Sequence, residues 1–124
     1  MSQPAAGPGW QRLAQQVAER VPPPEVDAVW VFSPRRREGR EWGTAVLSRI
    51  DGERRRIYTA RYMLAVKGKD RGRFEAEVRE VGSGPVGALA RLLQEARRRI
   101  DDEEPPIPVS PESWFLSPAD GAAQ

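Results

Sequence analysis

The chain predicts an α+β domain: an N-terminal helix, a four-stranded antiparallel β-meander and a C-terminal helix, with both helices packed on one face of the sheet. Three observations carry this expectation. Apolar residues recur at spacings of three and four near both ends of the domain, four segments rich in β-branched and aromatic residues lie between, and short glycine-bearing links join those segments where parallel strands would need crossover helices.

Residues 1–8, Met-Ser-Gln-Pro-Ala-Ala-Gly-Pro, have no periodicity and read as a disordered N-terminus. Trp10, Leu13, Ala14, Val17 and Val21 then line one face of a helix that Pro22, Pro23 and Pro24 end. Strands are expected at roughly 26–33, 42–50, 54–66 and 73–81. Asp51-Gly52 is expected as a two-residue type I′ turn, whose central positions both need positive φ. That register sets Leu47 opposite Arg56, Ala45 opposite Tyr58 and Gly43 opposite Ala60. The next link holds Gly72 in a left-handed conformation and sets Val66 opposite Phe74 and Tyr62 opposite Val78. One face of this pair is apolar, while Thr59, Arg61, Glu75, Glu77 and Arg79 give the other the alternation of a wet side.

Beyond Gly82-Ser83-Gly84-Pro85, read as a turn, the residues Val86, Leu89, Ala90, Leu93, Ala96 and Ile100 fall at helical spacing. Residues 9–100 therefore form one domain. Residues 101–124 are acidic and proline-rich and read as a disordered tail, although Trp114, Phe115 and Leu116 offer an apolar group able to fold over the outer sheet face.

Length and composition, 124 residues with 39% hydrophobic and 31% charged, fit a single core. The absence of cysteine and histidine removes disulfides, thiolate nucleophiles, imidazole bases and the usual ligands of structural zinc, so neither a metal nor a cofactor is expected. No apolar run exceeds the length of Ala28–Phe32, too short for a membrane span or a secretory signal, and the expected location is cytoplasmic. Gly82-Ser83-Gly84-Pro85-Val86-Gly87 spells G-x-G-x-x-G. The parallel strand that a dinucleotide site needs would fall about 20 residues on, in Ile107-Pro108-Val109-Ser110-Pro111, which no central strand tolerates. Free N–H groups at this helix start remain able to hold an anion, with Arg54, Arg55 and Arg56 nearby. No catalytic constellation emerges, and the chain reads as non-enzymatic.

Charge is segregated. Residues 25–99 hold 18 basic against 11 acidic groups, and residues 100–124 hold six acidic groups and no basic one. In a meander the first and third turns share one end of the sheet. Arg35, Arg36, Arg37 and Arg40 therefore join Lys67, Lys69, Arg71 and Arg73 on a basic rim, toward which Arg97, Arg98 and Arg99 return along the last helix. The expected function is a non-catalytic interaction module whose rim contacts nucleic acid or an acidic protein, with the acidic tail as an intramolecular competitor. The alternative is a protein–protein adaptor or homodimer joined through an apolar patch of Trp42, Val46, Ile57 and Met63 on the outer sheet face.

Overall fold

A computed structural model describes residues 7–100 and 104–115 of the chain. Helix α1 spans Pro8–Arg20; Pro8 brings a preset φ to its first turn, and Trp10, Leu13, Ala14 and Val17 are buried on the face that their spacing defines. Val21 returns to extended backbone, and the prolines form a short 3₁₀ turn at Pro23–Glu25. Strands β1 (Val26–Arg37), β2 (Arg40–Asp51), β3 (Arg54–Ala65) and β4 (Phe74–Pro85) follow, then α2 (Leu89–Arg98), β5 (Ile107–Val109) and α3 (Pro111–Phe115).

All strands are antiparallel, in the spatial order β4-β3-β2-β1-β5. The meander is as expected, but the sheet has five strands. Ile107–Val109 pairs with Val29–Val31, and α3 carries Trp114 to 4% exposure in the same cluster as Trp10. The part of the presumed tail from 107 to 115 is thus structured. Its prolines and acids signal disorder, but Trp114 and Val109 contribute enough apolar surface to dock. Residues 1–6, 101–103 and 116–124, including Leu116, lie outside the described residues.

Both predicted registers are displaced by two residues. Asp51 pairs with Arg54, so the connecting residues are Gly52 and Glu53, with positive φ at Gly52 (65°) in the manner of a II′ turn. Leu47 accordingly faces Tyr58, Ala45 faces Ala60 and Gly43 faces Tyr62. The type I′ pattern occurs one hairpin earlier, where Glu38 (φ 53°) and Gly39 (φ 77°) connect Arg37 to Arg40. On the far side of β3, Tyr62 pairs with Ala76 and Leu64 with Phe74, while Gly72 has the expected positive φ of 94°. A slip of two leaves every side chain on its predicted face.

The larger correction concerns the helices. α1 and α3 lie on one side of the sheet, against Val29, Val31, Ala45, Leu47, Ala60 and Tyr62. The buried residues of α2, Leu92 and Ala96, belong with Ile100 to a second cluster built on Phe32, Val46 and Ile57. Val46 adjoins Leu47 and Ile57 adjoins Tyr58, so the two clusters occupy opposite faces. Shared placement of both helices therefore does not hold for α2. Residues 82–85 are not a turn but the end of β4, where Gly82 pairs with Ile57 and Gly84 with Arg55. A Cβ at Gly82 would meet Leu92 Cδ2 at 3.4 Å, and one at Gly84 would meet Arg91 Nη2 at 3.0 Å. These glycines allow α2 to settle on that face. Arg55 fixes its start, donating to Val86 O at 2.8 Å, Asp27 Oδ2 at 2.5 Å and Ser48 Oγ at 2.5 Å.

Candidate functional site

The two basic turns do lie side by side. Val66 N–H donates to Gly39 O at 2.8 Å, and a Cβ at Gly39 would stand 3.2 Å from Lys67 Cβ. The eight predicted rim residues nevertheless divide among different surroundings. Arg36 Nε donates to Glu41 Oε1 at 3.0 Å, and Arg73 Nη2 to Glu75 Oε1 at 3.1 Å. Lys67, Lys69 and Arg71 are exposed along the turn between β3 and β4. Arg35, Arg37 and Arg40 stand on the face that carries α2, because the irregularity between Phe32 and Arg35 sets Arg35 opposite Trp42 and Arg37 opposite Arg40.

On this face, past the C-terminal end of α2, lies a cleft of about 340 Å³. Arg35, Arg37, Arg61 and Trp42 line it, with Phe32 and Ile100 at the α2 side, and none of its described lining residues is an Asp or a Glu. The strand register explains the grouping. One row across the sheet reads Phe32, Thr44, Arg61, and the next reads Arg35, Trp42, Met63. Side chains directly opposite each other have Cβ atoms about 5 Å apart, and neighbours along a strand on one face are about 7 Å apart. The guanidinium groups of Arg35, Arg37 and Arg61 therefore all reach the surroundings of the indole. Among the described residues, neither Arg37 nor Arg61 has an ion-pair partner.

Tyr62 backs the cleft from the other side. Its ring passes between α1 and the sheet, where a Cβ at Gly9 or Gly43 would overlap it, and its hydroxyl donates to Glu41 Oε2 at 2.5 Å. Burial, reinforced by the hydrogen bond to Glu41, holds the phenol well above its ordinary pKa. Glu41 also accepts a hydrogen bond from Arg36 Nε, so this carboxylate is engaged on the α1 side, away from the arginine cleft.

The predicted apolar patch does not survive as a unit. Val46 and Ile57 are each 0% exposed beneath α2, and Met63 is half-buried; of these four residues only Trp42, at 39%, is exposed. Trp114 and Phe115 do not cover the patch, because they pack on the α1 side. Arg61 was legible on the wet face but grouped with Glu75 and Glu77; its place two positions from Met63, opposite Thr44, is the signal that ties it to Trp42. At the other end of the sheet the arginines are committed to protein partners. Arg54 donates to Ser83 Oγ at 3.2 Å, Arg55 is buried, and Arg56 pairs with Asp51 and with Glu80, both at 3.3 Å. The G-x-G-x-x-G segment begins inside antiparallel β4, so it lacks the geometry of a dinucleotide loop.

Just past α2, Ile100 lines the cleft, and the Arg97 guanidinium lies 6.0 Å from the centre of the Phe32 ring, but Arg97, Arg98 and Arg99 are not among the described lining residues of the cleft. Among the described residues there is no cluster of three or more potential metal-binding side chains, and no helix is long and apolar enough to cross a membrane. No protein-family model, curated protein or solved structure matches this chain.

Proposed function

We propose that the chain is a non-catalytic polyanion-binding domain whose principal ligand is nucleic acid, held at the cleft of Arg35, Arg37 and Arg61 with help from the flanking Lys67, Lys69 and Arg71. The observation that supports this reading is a concave surface whose described lining includes Arg35, Arg37 and Arg61 and no Asp or Glu, next to an exposed tryptophan. Cations gathered on a rigid sheet lose little entropy on binding, and phosphates displace their counterions to do so. The apolar adaptor reading has less support, since two of its four residues are under α2.

The acidic segment is an intramolecular competitor. Asp101, Asp102 and Glu103 lie outside the described residues, but the residues on either side do not: Ile100 lines the cleft, and Glu104 O accepts from Arg97 Nη2 at 3.1 Å. In sequence these three carboxylates follow directly on Ile100, a lining residue of the cleft.

Fluorescence anisotropy with a labelled single-stranded oligonucleotide in about 50 mM salt, where such contacts are strong, tests the reading. Three to four phosphate contacts give a log–log salt slope of about −2 to −3, at about 0.7 per contact on single strands. The double variant Arg37→Ser, Arg61→Ser should shallow that slope by about 1.4, whereas Arg54→Ser should leave it unchanged. Neutralising Asp101, Asp102 and Glu103 to their amides should tighten binding at low salt. Failure of the neutralised protein to bind at tens of micromolar would overturn the proposal.

A further inference from the structure

We infer that the cleft recognises an unpaired nucleotide, with its base stacked on Trp42 and the adjoining phosphates held by Arg35, Arg37 and Arg61, so that the domain selects single strands over duplexes. This rests on the polyanion reading and adds to it what kind of polyanion is bound.

The argument begins with Trp42. It is 39% exposed, and it makes no aromatic or cation–π contact among the described residues. Trp10 and Trp114, by contrast, are buried in the core of the α1 side. An indole left open on a sheet face offers a flat, sequence-tolerant platform, because every nucleobase has a π-face to set against it. Its neighbours fix what accompanies that base. Arg35 is the direct cross-strand partner on one side and Met63 on the other.

Charge divides the space around the ring. The arginine cleft lies on one flank of Trp42, and a second hollow on the other is lined by Met63, Glu75 and Glu77 together with Arg61, which borders both. The first flank gathers three arginines and no described carboxylate, whereas on the second Glu75 and Glu77 offset the shared Arg61, so phosphates favour the β1 side and the base is left to reach across Trp42 toward Met63.

Size supplies the selection. A volume of about 340 Å³ stands near the lower end of small-molecule sites, suited to a base and its phosphate. A duplex keeps its base faces covered by their neighbours in the stack, and presenting one to Trp42 would require flipping it out at a cost of a few kcal/mol. Single strands pay little of that cost.

The test uses the full chain and three labelled probes of equal phosphate number: an oligothymidylate, the same backbone made of abasic sites, and a duplex. The oligothymidylate should bind about tenfold more tightly than the abasic strand and the duplex, and should quench tryptophan emission. Trp42→Ala should lose about tenfold for the oligothymidylate alone, with an unchanged thermal melt, whereas Trp42→Phe should keep most of the affinity and lose the quenching. Equal binding of all three probes, unaffected by Trp42→Ala, would overturn base stacking and leave the polyanion reading standing. Binding of none of them would remove both.

Discussion

The two faces of this sheet are made from alternate residues of the same strands, yet one is sealed and the other is half open. On the sealed face a 13-residue helix and the short α3 close over Ala45, Leu47, Ala60 and Tyr62, and the Tyr62 ring stands 5.3 Å from Trp10 and 5.9 Å from Phe74, centre to centre. On the other face α2 has 10 residues, about 15 Å, against strands of 12 residues, about 40 Å. It covers Val46 and Ile57 and stops before Trp42 and Arg61. The reach of a helix, more than the hydropathy of the strands beneath it, determines where core gives way to exposed surface.

That contrast is easiest to break with one core deletion per face. Tyr62→Ala should cost about 3–5 kcal/mol in a urea titration, since the ring fills the gap between Gly9 and Gly43 and nothing nearby is free to replace it. Leu92→Ala should cost about 2–3 kcal/mol, because a short helix bordered by solvent can settle toward Gly82 and Gly84. A larger loss at Leu92 than at Tyr62 would make the α2 side the dominant core and invert the comparison.

A smaller effect sharpens it. Because burial first and Glu41 second raise the Tyr62 pKa, the folded chain keeps this proton at pH values where the unfolded chain, with a phenol near 10, has released it. The stabilisation is complete below about pH 10 and is lost as the pH rises beyond it, with a limiting slope of about 1.4 kcal/mol per pH unit. Tyr62→Phe should flatten this alkaline limb of the stability curve. An unchanged limb would mean that the sealed face does not hold the phenol neutral.

How much of this was legible in the sequence varied with the kind of signal. Period-two alternation placed Tyr58, Ala60 and Tyr62 together and opposite Ile57, Thr59 and Arg61, and it was robust because both register errors were slips of two. Turn chemistry was less decisive: Asp51-Gly52 has the favoured residues for a I′ turn, but that geometry falls to Glu38-Gly39, where a glutamate accepts positive φ. The side taken by α2 was hidden because Phe32, Val46 and Ile57 are apolar on what was read as the outer face. The clue lay in Gly82 and Gly84, alternate positions of one strand that leave room for Leu92. The nearness of the two basic turns followed from meander topology, whereas the role of Arg61 needed the observed register to bring it beside Trp42.

The pairing of Trp10 with Trp114 in one cluster carries a consequence for the order of events during synthesis. Each strand of the meander meets its partner soon after it leaves the ribosome, so the hairpins close over short loops at little entropic cost. Helix α1 emerges before any of them and can dock on the nascent sheet, but one wall of its compartment is Trp114, which follows every strand of the meander in the sequence. Sealing of the α1 side therefore waits on a contact between Trp10 and Trp114, which closes a far longer loop than any hairpin of the meander and costs correspondingly more chain entropy.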